Sequence, residues 1–255
     1  MSDRPTEAPF LSVVVPAYRA EARIAATLGA IRSYLAGRSF AAEIVVVDDG
    51  SPDRTAEAAR AALAGGPPSK VLARGVNLGK GASVREGVLA SSGQVVLFTD
   101  DDLSTPVAEC DKLLAAIGAG ADAAVGSRAL AGSEILVRQP RPREAMGQAF
   151  NLLVRLLVLG GYPDTQCGFK AFRRDAARAV FSRLRAPGFA FDVEVLVLCR
   201  EMGFRVAQVP VVWSDSRPSR LRLFRGSWGM LKELWRIRRR ARRRARGREA
   251  AADGP

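Results

Sequence analysis

Three consecutive carboxylates, Asp100, Asp101 and Asp102, follow the apolar run Val95-Val96-Leu97-Phe98 with only Thr99 between. Acids this close repel one another and resist ionisation unless a cation sits among them. Carboxylate oxygens suit hard divalent ions such as Mg²⁺ or Mn²⁺, usually shared with substrate phosphates. The competing reading is a solvated acidic turn or a helix start, since Asp102-Leu103-Ser104-Thr105-Pro106 also has capping character. A second acidic turn, Asp48-Asp49-Gly50-Ser51, follows another apolar run. Between the two lies Arg74-Gly75-Val76-Asn77-Leu78-Gly79-Lys80-Gly81, whose glycines and helix start suit a phosphate. It is neither a Walker loop, which needs four residues between its glycines and Ser or Thr after the lysine, nor a dinucleotide fingerprint. A tight turn with a helix cap is the plainer alternative.

Composition removes several chemistries. None of the 255 residues is histidine, so His-activated nucleophiles, His bases and His metal ligands are excluded. Cys110, Cys167 and Cys199 lack zinc or disulfide spacing and read as small buried hydrophobes. Residues 1–9 lack the apolar core of a signal peptide, and no stretch has the roughly 18–20 apolar residues of a membrane span. The expectation is a cytoplasmic protein, peripheral on the inner face of the membrane. The net charge of +13 gathers at one end, in Arg236, Arg238, Arg239, Arg240, Arg242, Arg243, Arg244, Arg246 and Arg248. A solvated tail, an anionic membrane surface and nucleic acid are the three partners such a block allows. Trp228, Leu231, Leu234 and Trp235 precede it at helical spacing, which favours an interfacial helix. Deleting residues 236–248 is expected to separate tail effects from catalysis.

The elements that must position the acids alternate. Strands are predicted over Leu11–Val15 (stopped by Pro16), Glu43–Val47, Val71-Leu72, Val95–Phe98 and Ala123–Gly126. Helices are predicted over Glu21–Leu35, Thr55–Leu63, Gly81–Ala90 and Asp111–Ile117. Glu144–Leu159, Arg174–Leu184 and Phe191–Met202 read as further helices, Gly168–Arg173 and Val206–Trp213 as strands. This alternation predicts an α/β fold with a mostly parallel central sheet and helices on both faces. The acidic turns then converge on one sheet edge.

In order along the chain, Val13-Val14-Val15-Pro16-Ala17-Tyr18 with Glu21, Val45-Val46-Val47-Asp48-Asp49-Gly50-Ser51, Asn77-Leu78-Gly79-Lys80-Gly81 and Asp100-Asp101-Asp102 resemble a family-2 glycosyltransferase of GT-A fold. Three later segments resemble the dolichyl- or polyprenyl-phosphate β-glucosyltransferase branch. They are Asp164-Thr165-Gln166-Cys167-Gly168-Phe169-Lys170, Phe189-Ala190-Phe191-Asp192-Val193-Glu194 and Pro218-Ser219-Arg220-Leu221. Asp101, Ser104 and Arg220 depart from the residues common there.

The resemblance implies a single GT-A domain over 10–225, after a flexible 1–9 and before an amphipathic helix and Arg-rich tail over 226–255. It implies that Pro16, Tyr18, Glu21 and Asp48 hold the uridine of UDP-glucose, that Asp49 supports their loop and that Lys80 lies near the diphosphate. Asp100 and Asp102 would bind Mg²⁺ or Mn²⁺, with Asp101 on the ribose or sugar side. Arg128, Lys170, Arg217 and Arg220 are candidates for the acceptor phosphate, and Asp192 for orienting sugar or acceptor; Asp102, Asp192 and Arg128 form the catalytic set. A lipid phosphate, already largely dianionic near neutral pH, needs no base to become a nucleophile. The implied reaction moves a hexose, with inversion, from a nucleotide sugar to a polyprenyl phosphate. The alternatives are mannosyl transfer from GDP-mannose, a soluble acceptor, or a basic nucleic-acid-binding protein.

Overall fold

The computed structural model describes residues 8–215 and 223–252, except the side chains of 223–228 and 247–252. Nine strands and eight α-helices lie along them, alternating up to β5 and less regularly after it. The strands are β1 (Leu11–Ala17), β2 (Ala42–Asp48), β3 (Ser69–Ala73), β4 (Val95–Phe98), β5 (Ala123–Ser127), β6 (Glu134–Val137), β7 (Lys170–Arg173), β8 (Val206–Pro210) and β9 (Val212–Ser214). The helices are α1 (Glu21–Ala36), α2 (Thr55–Leu63), α3 (Lys80–Ala90), α4 (Cys110–Gly118), α5 (Arg141–Leu157), α6 (Arg174–Arg183), α7 (Phe191–Glu201) and α8 (Leu223–Ala252).

Seven strands form one sheet in the order β3-β2-β1-β4-β7-β5-β8, with only β7 antiparallel to its neighbours. Alternate residues of each strand face opposite sides, and both sides are apolar. Val13, Val15, Ile44 and Val46 pack with Ile24, Leu28 and Ile31 of α1 and Leu113 of α4. Val14, Val45 and Val47 pack with Val84 of α3, Phe181 of α6 and Leu196 of α7. This is the expected helix-covered, mostly parallel sheet. The strand order turns outward in both directions from β1 and β4, so the crevice beyond their carboxyl ends is a topological switch point.

Several boundaries differ from expectation. Pro16 does not stop β1; it pairs opposite Val47 of β2. The pairing of β4 with β1 ends at Val14, so at Pro16 the strand has one neighbour, where a missing N–H is tolerated. Val206–Trp213 is two strands in different sheets: β8 joins β5, and β9 pairs with β6, which the sequence pattern does not show. No helix starts at Asp102. That side chain instead accepts the Ser104 N–H at 3.0 Å in a local turn, with Leu103 in the left-handed region (φ 47°).

The basic end is helical and partly docked. Leu234 and Ile237 of α8 are buried in the core beside α7, while Trp235 is 60% exposed. Among the described residues, no helix is long and apolar enough to cross a membrane. All three cysteines are free and buried. Burial pushes the thiols up, to about 12 for Cys110 and Cys199 and about 11 for Cys167, which leaves them inert as nucleophiles.

Candidate active site

Asp48 ends β2 and Asp49 follows it, both buried. Asp48 accepts the Ser51 N–H and hydroxyl through one oxygen. Asp49 accepts Leu78 N–H (2.9 Å) and Arg74 Nη1 (2.8 Å) on one oxygen and Gly79 N–H (2.8 Å) on the other. It therefore ties the 74–79 turn to the sheet edge, a partner the sequence reading did not assign to it. Arg74 completes the tie through Glu86 Oε2 at 2.6 Å.

The glycines of this turn serve backbone packing. A Cβ at Gly79 would lie 2.5 Å from the Pro187 carbonyl oxygen, and one at Gly81 would lie 2.4 Å from that of Ala186. The amide of Ala82 donates to Pro187 O at 3.1 Å. The amides of residues 78, 79 and 82 are directed at protein acceptors, and the turn presents the side chain of Lys80. Its ammonium lies 2.5 Å from Asp100 Oδ1.

Asp100 is where the pieces meet. A Cβ at Gly168 would stand 2.5 Å from both of its carboxylate oxygens, so the loop before β7 closes over this acid and any larger residue there must push the carboxylate aside. Asp101 turns the other way, to Arg23 of α1 at 2.5 Å, and its carbonyl accepts the Thr27 hydroxyl at 2.7 Å. It braces the loop against α1. No cluster of three acids or cysteines able to hold a metal exists among the described residues. Asp100 and Asp102 at the switch point suit an ion of the Mg²⁺ type, which takes one or two carboxylates and completes its shell from substrate phosphates.

Arg128, after β5, forks onto Asp164 (Nε–Oδ2 2.7 Å, Nη2–Oδ1 2.8 Å), and its N–H also donates to Asp164 at 3.0 Å. Its guanidinium stands 5.4 Å from the centre of the Trp213 ring. Burial would lower the pKa of this guanidinium, yet Asp164 raises it further. Lys170 differs most from expectation. It is 1% exposed and donates to Thr165 O (3.3 Å), Cys167 O (2.5 Å) and Asp192. An ammonium has three N–H bonds, so Lys170 holds the 164–169 loop instead of reaching an acceptor. Burial pushes its partner Asp192 up, against the pull of Lys170 and Lys80.

Of the uridine candidates, Pro16 is buried in β1 and Tyr18 is half-exposed beyond it. Glu21 heads α1 and holds Arg54 Nε at 2.9 Å. Arg217 and Arg220 lie outside the described residues. The structure thus gathers Lys80, Asp100, Gly168, Lys170 and Asp192 through a run of direct contacts. Sequence reasoning missed Arg23, Arg74 and the partner of Arg128. Arg74 and Asp164 carried a local signal, standing inside the Arg74–Gly81 and Asp164–Lys170 segments, and Arg23 carried none.

Comparison with known proteins agrees with this geometry. The model of glycosyl transferase family 2 matches residues 12–181. Dolichyl-phosphate beta-glucosyltransferase ALG5C of Trichomonas vaginalis is 37% identical, over 84% of this chain and 66% of its own length. The dolichyl-phosphate beta-glucosyltransferases of Dictyostelium discoideum (34%; 90% and 74%) and Homo sapiens (35%; 92% and 76%) are similar over more. The chain thus spans about two thirds to three quarters of these relatives. Glucosyl-3-phosphoglycerate synthase of Mycobacterium tuberculosis, solved with Mn²⁺, UDP-glucose and phosphoglyceric acid, shares the fold, with TM-score 0.69 and 23% identity over 90% of this chain and 80% of that one. The chain is a member of glycosyl transferase family 2, a hexosyltransferase similar to the dolichyl-phosphate β-glucosyltransferases.

Proposed function

We propose that this protein transfers glucose from UDP-glucose to a polyprenyl phosphate, with inversion, using Mg²⁺ or Mn²⁺ at an anionic membrane surface. The observation that carries this reading is the junction at Asp100, where the acidic edge, Lys80 and the Gly168 loop meet. Uridine fits over Tyr18 and Glu21 beside Asp48, and the diphosphate fits between Lys80 and the edge. A divalent ion held by Asp100 and Asp102 would neutralise charge on the departing UDP. Lys80 adds a fixed positive charge on the same side.

The acceptor phosphate needs positive charge but no base. Arg128, oriented by Asp164, and Arg217 and Arg220 are suited to hold it. Asp192, bound to Lys170, orients the sugar instead of taking a proton. The exposed Leu152, Leu153, Leu156 and Leu157 of α5 and Leu231 and Trp235 of α8, beside the outward arginines of α8, give a lipid-borne acceptor a surface to approach along.

The test is a donor panel against two acceptors, polyprenyl phosphate and 3-phosphoglycerate, with Mn²⁺ present. Product from UDP-glucose and polyprenyl phosphate alone is expected. Product only from GDP-mannose overturns the glucose assignment; product only on 3-phosphoglycerate overturns the lipid acceptor.

A further inference from the structure

Two acidic residues outside the cleft hold its inner wall. The α6–α7 connection, residues 184–190, has no strand to pair with, yet it presses on the turn that presents Lys80. Glu194, fully buried on α7, accepts the amides of Arg185 (3.0 Å) and Ala186 (2.6 Å) through Oε2. Its other oxygen stands 3.1 Å from Arg240 Nη2 of α8. Glu233, also on α8, accepts the Gly188 N–H at 3.3 Å. Glu233, Ile237, Arg240 and Arg244 are spaced four, three and four apart, so they lie along one face of the helix. Ile237 is buried in the core there, and Arg244 forks onto Glu201 farther along α7.

We infer that Glu194 and Arg240 are a positioning pair for the donor-phosphate turn, acting through residues 185–188 on Lys80. The inference rests on the donor reading above. Each link is close-packed backbone: Ala186 O and Pro187 O lie where any Cβ at Gly81 or Gly79 would have to be. The aromatic ring of Phe191, next along the connection, lies 5.9 Å from the Lys80 ammonium. Loss of Arg240 leaves the Glu194 charge buried without its cation, which favours an opened α7 amino end. The connection then moves, and Lys80 moves with it. Two arginines of the basic end are thus structural, and deleting residues 236–248 cannot separate tail effects from catalysis as the sequence alone led one to expect.

The experiment compares Arg240→Ala with Arg244→Ala in the full chain, measuring UDP affinity in Mn²⁺ by calorimetry alongside thermal stability. Both variants lose an ion pair between α7 and α8, so both melt earlier. Only Arg240→Ala is expected to weaken UDP, by about tenfold, with Arg244→Ala within about twofold. Arg240→Lys should fall between wild type and Arg240→Ala, and it serves if the alanine variant does not fold. Adding Glu194→Gln to Arg240→Ala should recover part of the lost affinity by removing the stranded charge. Wild-type UDP affinity in Arg240→Ala, or equal weakening in both arginine variants, overturns the inference. A wild type that binds no UDP overturns the donor reading, and this inference with it.

Discussion

A methyl group at position 168 has nowhere to go but into the Asp100 carboxylate, whose oxygens already fill that space. Gly168→Ala is therefore expected to displace the acid and cut transfer by about a hundredfold, as misplacements near 1 Å do, while all charges stay present. Steady-state assay with unchanged far-UV dichroism checks it. Asp102→Asn should abolish transfer with little change in melting temperature, because it removes a candidate ligand and no core; retained activity in Mg²⁺ or Mn²⁺ contradicts the role. Asp164 supplies a pH test. Burial alone would push its carboxyl up, but Arg128's fork and the amides of Arg128 and Gln166 outweigh this and hold it low. A carboxyl held low in the fold contributes stability above its unfolded pKa and loses it as pH falls through the folded value. Asp164→Asn should thus be less stable at neutral pH and lose less on acidification, as read from denaturant midpoints. The acidic turns were legible because runs of acids follow closely on unbroken apolar strands. Partners were not: Arg23 meets Asp101 and Lys170 meets Asp192 across long sequence separations that no local pattern encodes.

Helices and strands were legible where their period was unbroken. α1 and α3 fall within a residue or two of expectation, and the valine-rich runs of β1, β2 and β4 read directly as doubly covered strands. Failures cluster where pairing partners decide. Pro16 stays in β1 because of where β4 ends, and Val206–Trp213 divides because its two halves meet different neighbours. The arginine-rich end misled for a related reason: Leu234, read as part of an interfacial stripe, and Ile237, flanked by arginines, instead seat α8 in the core. Ile237→Ala should cost about 2–5 kcal/mol, measured by urea unfolding. Trp235→Ala, on the exposed side, should stay within about 0.5 kcal/mol.

At the scale of the molecule, the switch point locates the site and the charge gives it a setting. Arg236, Arg238, Arg239, Arg242 and Arg243 remain for an outside partner once Arg240 and Arg244 have met Glu194 and Glu201. Binding to vesicles containing phosphatidylglycerol, absent with neutral lipid and weakened as salt rises, is expected in flotation assays. Duplex DNA binding that persists at moderate salt would contradict this partner choice.

The reversed strand β7 has one further consequence. In a wholly parallel sheet, only segments leaving a strand reach the carboxyl edge; segments entering one arrive at the far rim. Because β7 runs backwards, Lys170 begins it opposite Phe98, the last residue of β4, and the chain entering β7 is delivered to the reaction side. Insertions ahead of Asp164 can therefore lengthen that approach without altering strand order, whereas residues 164–169, which hold Arg128, Asp100 and Lys170, must stay as they are.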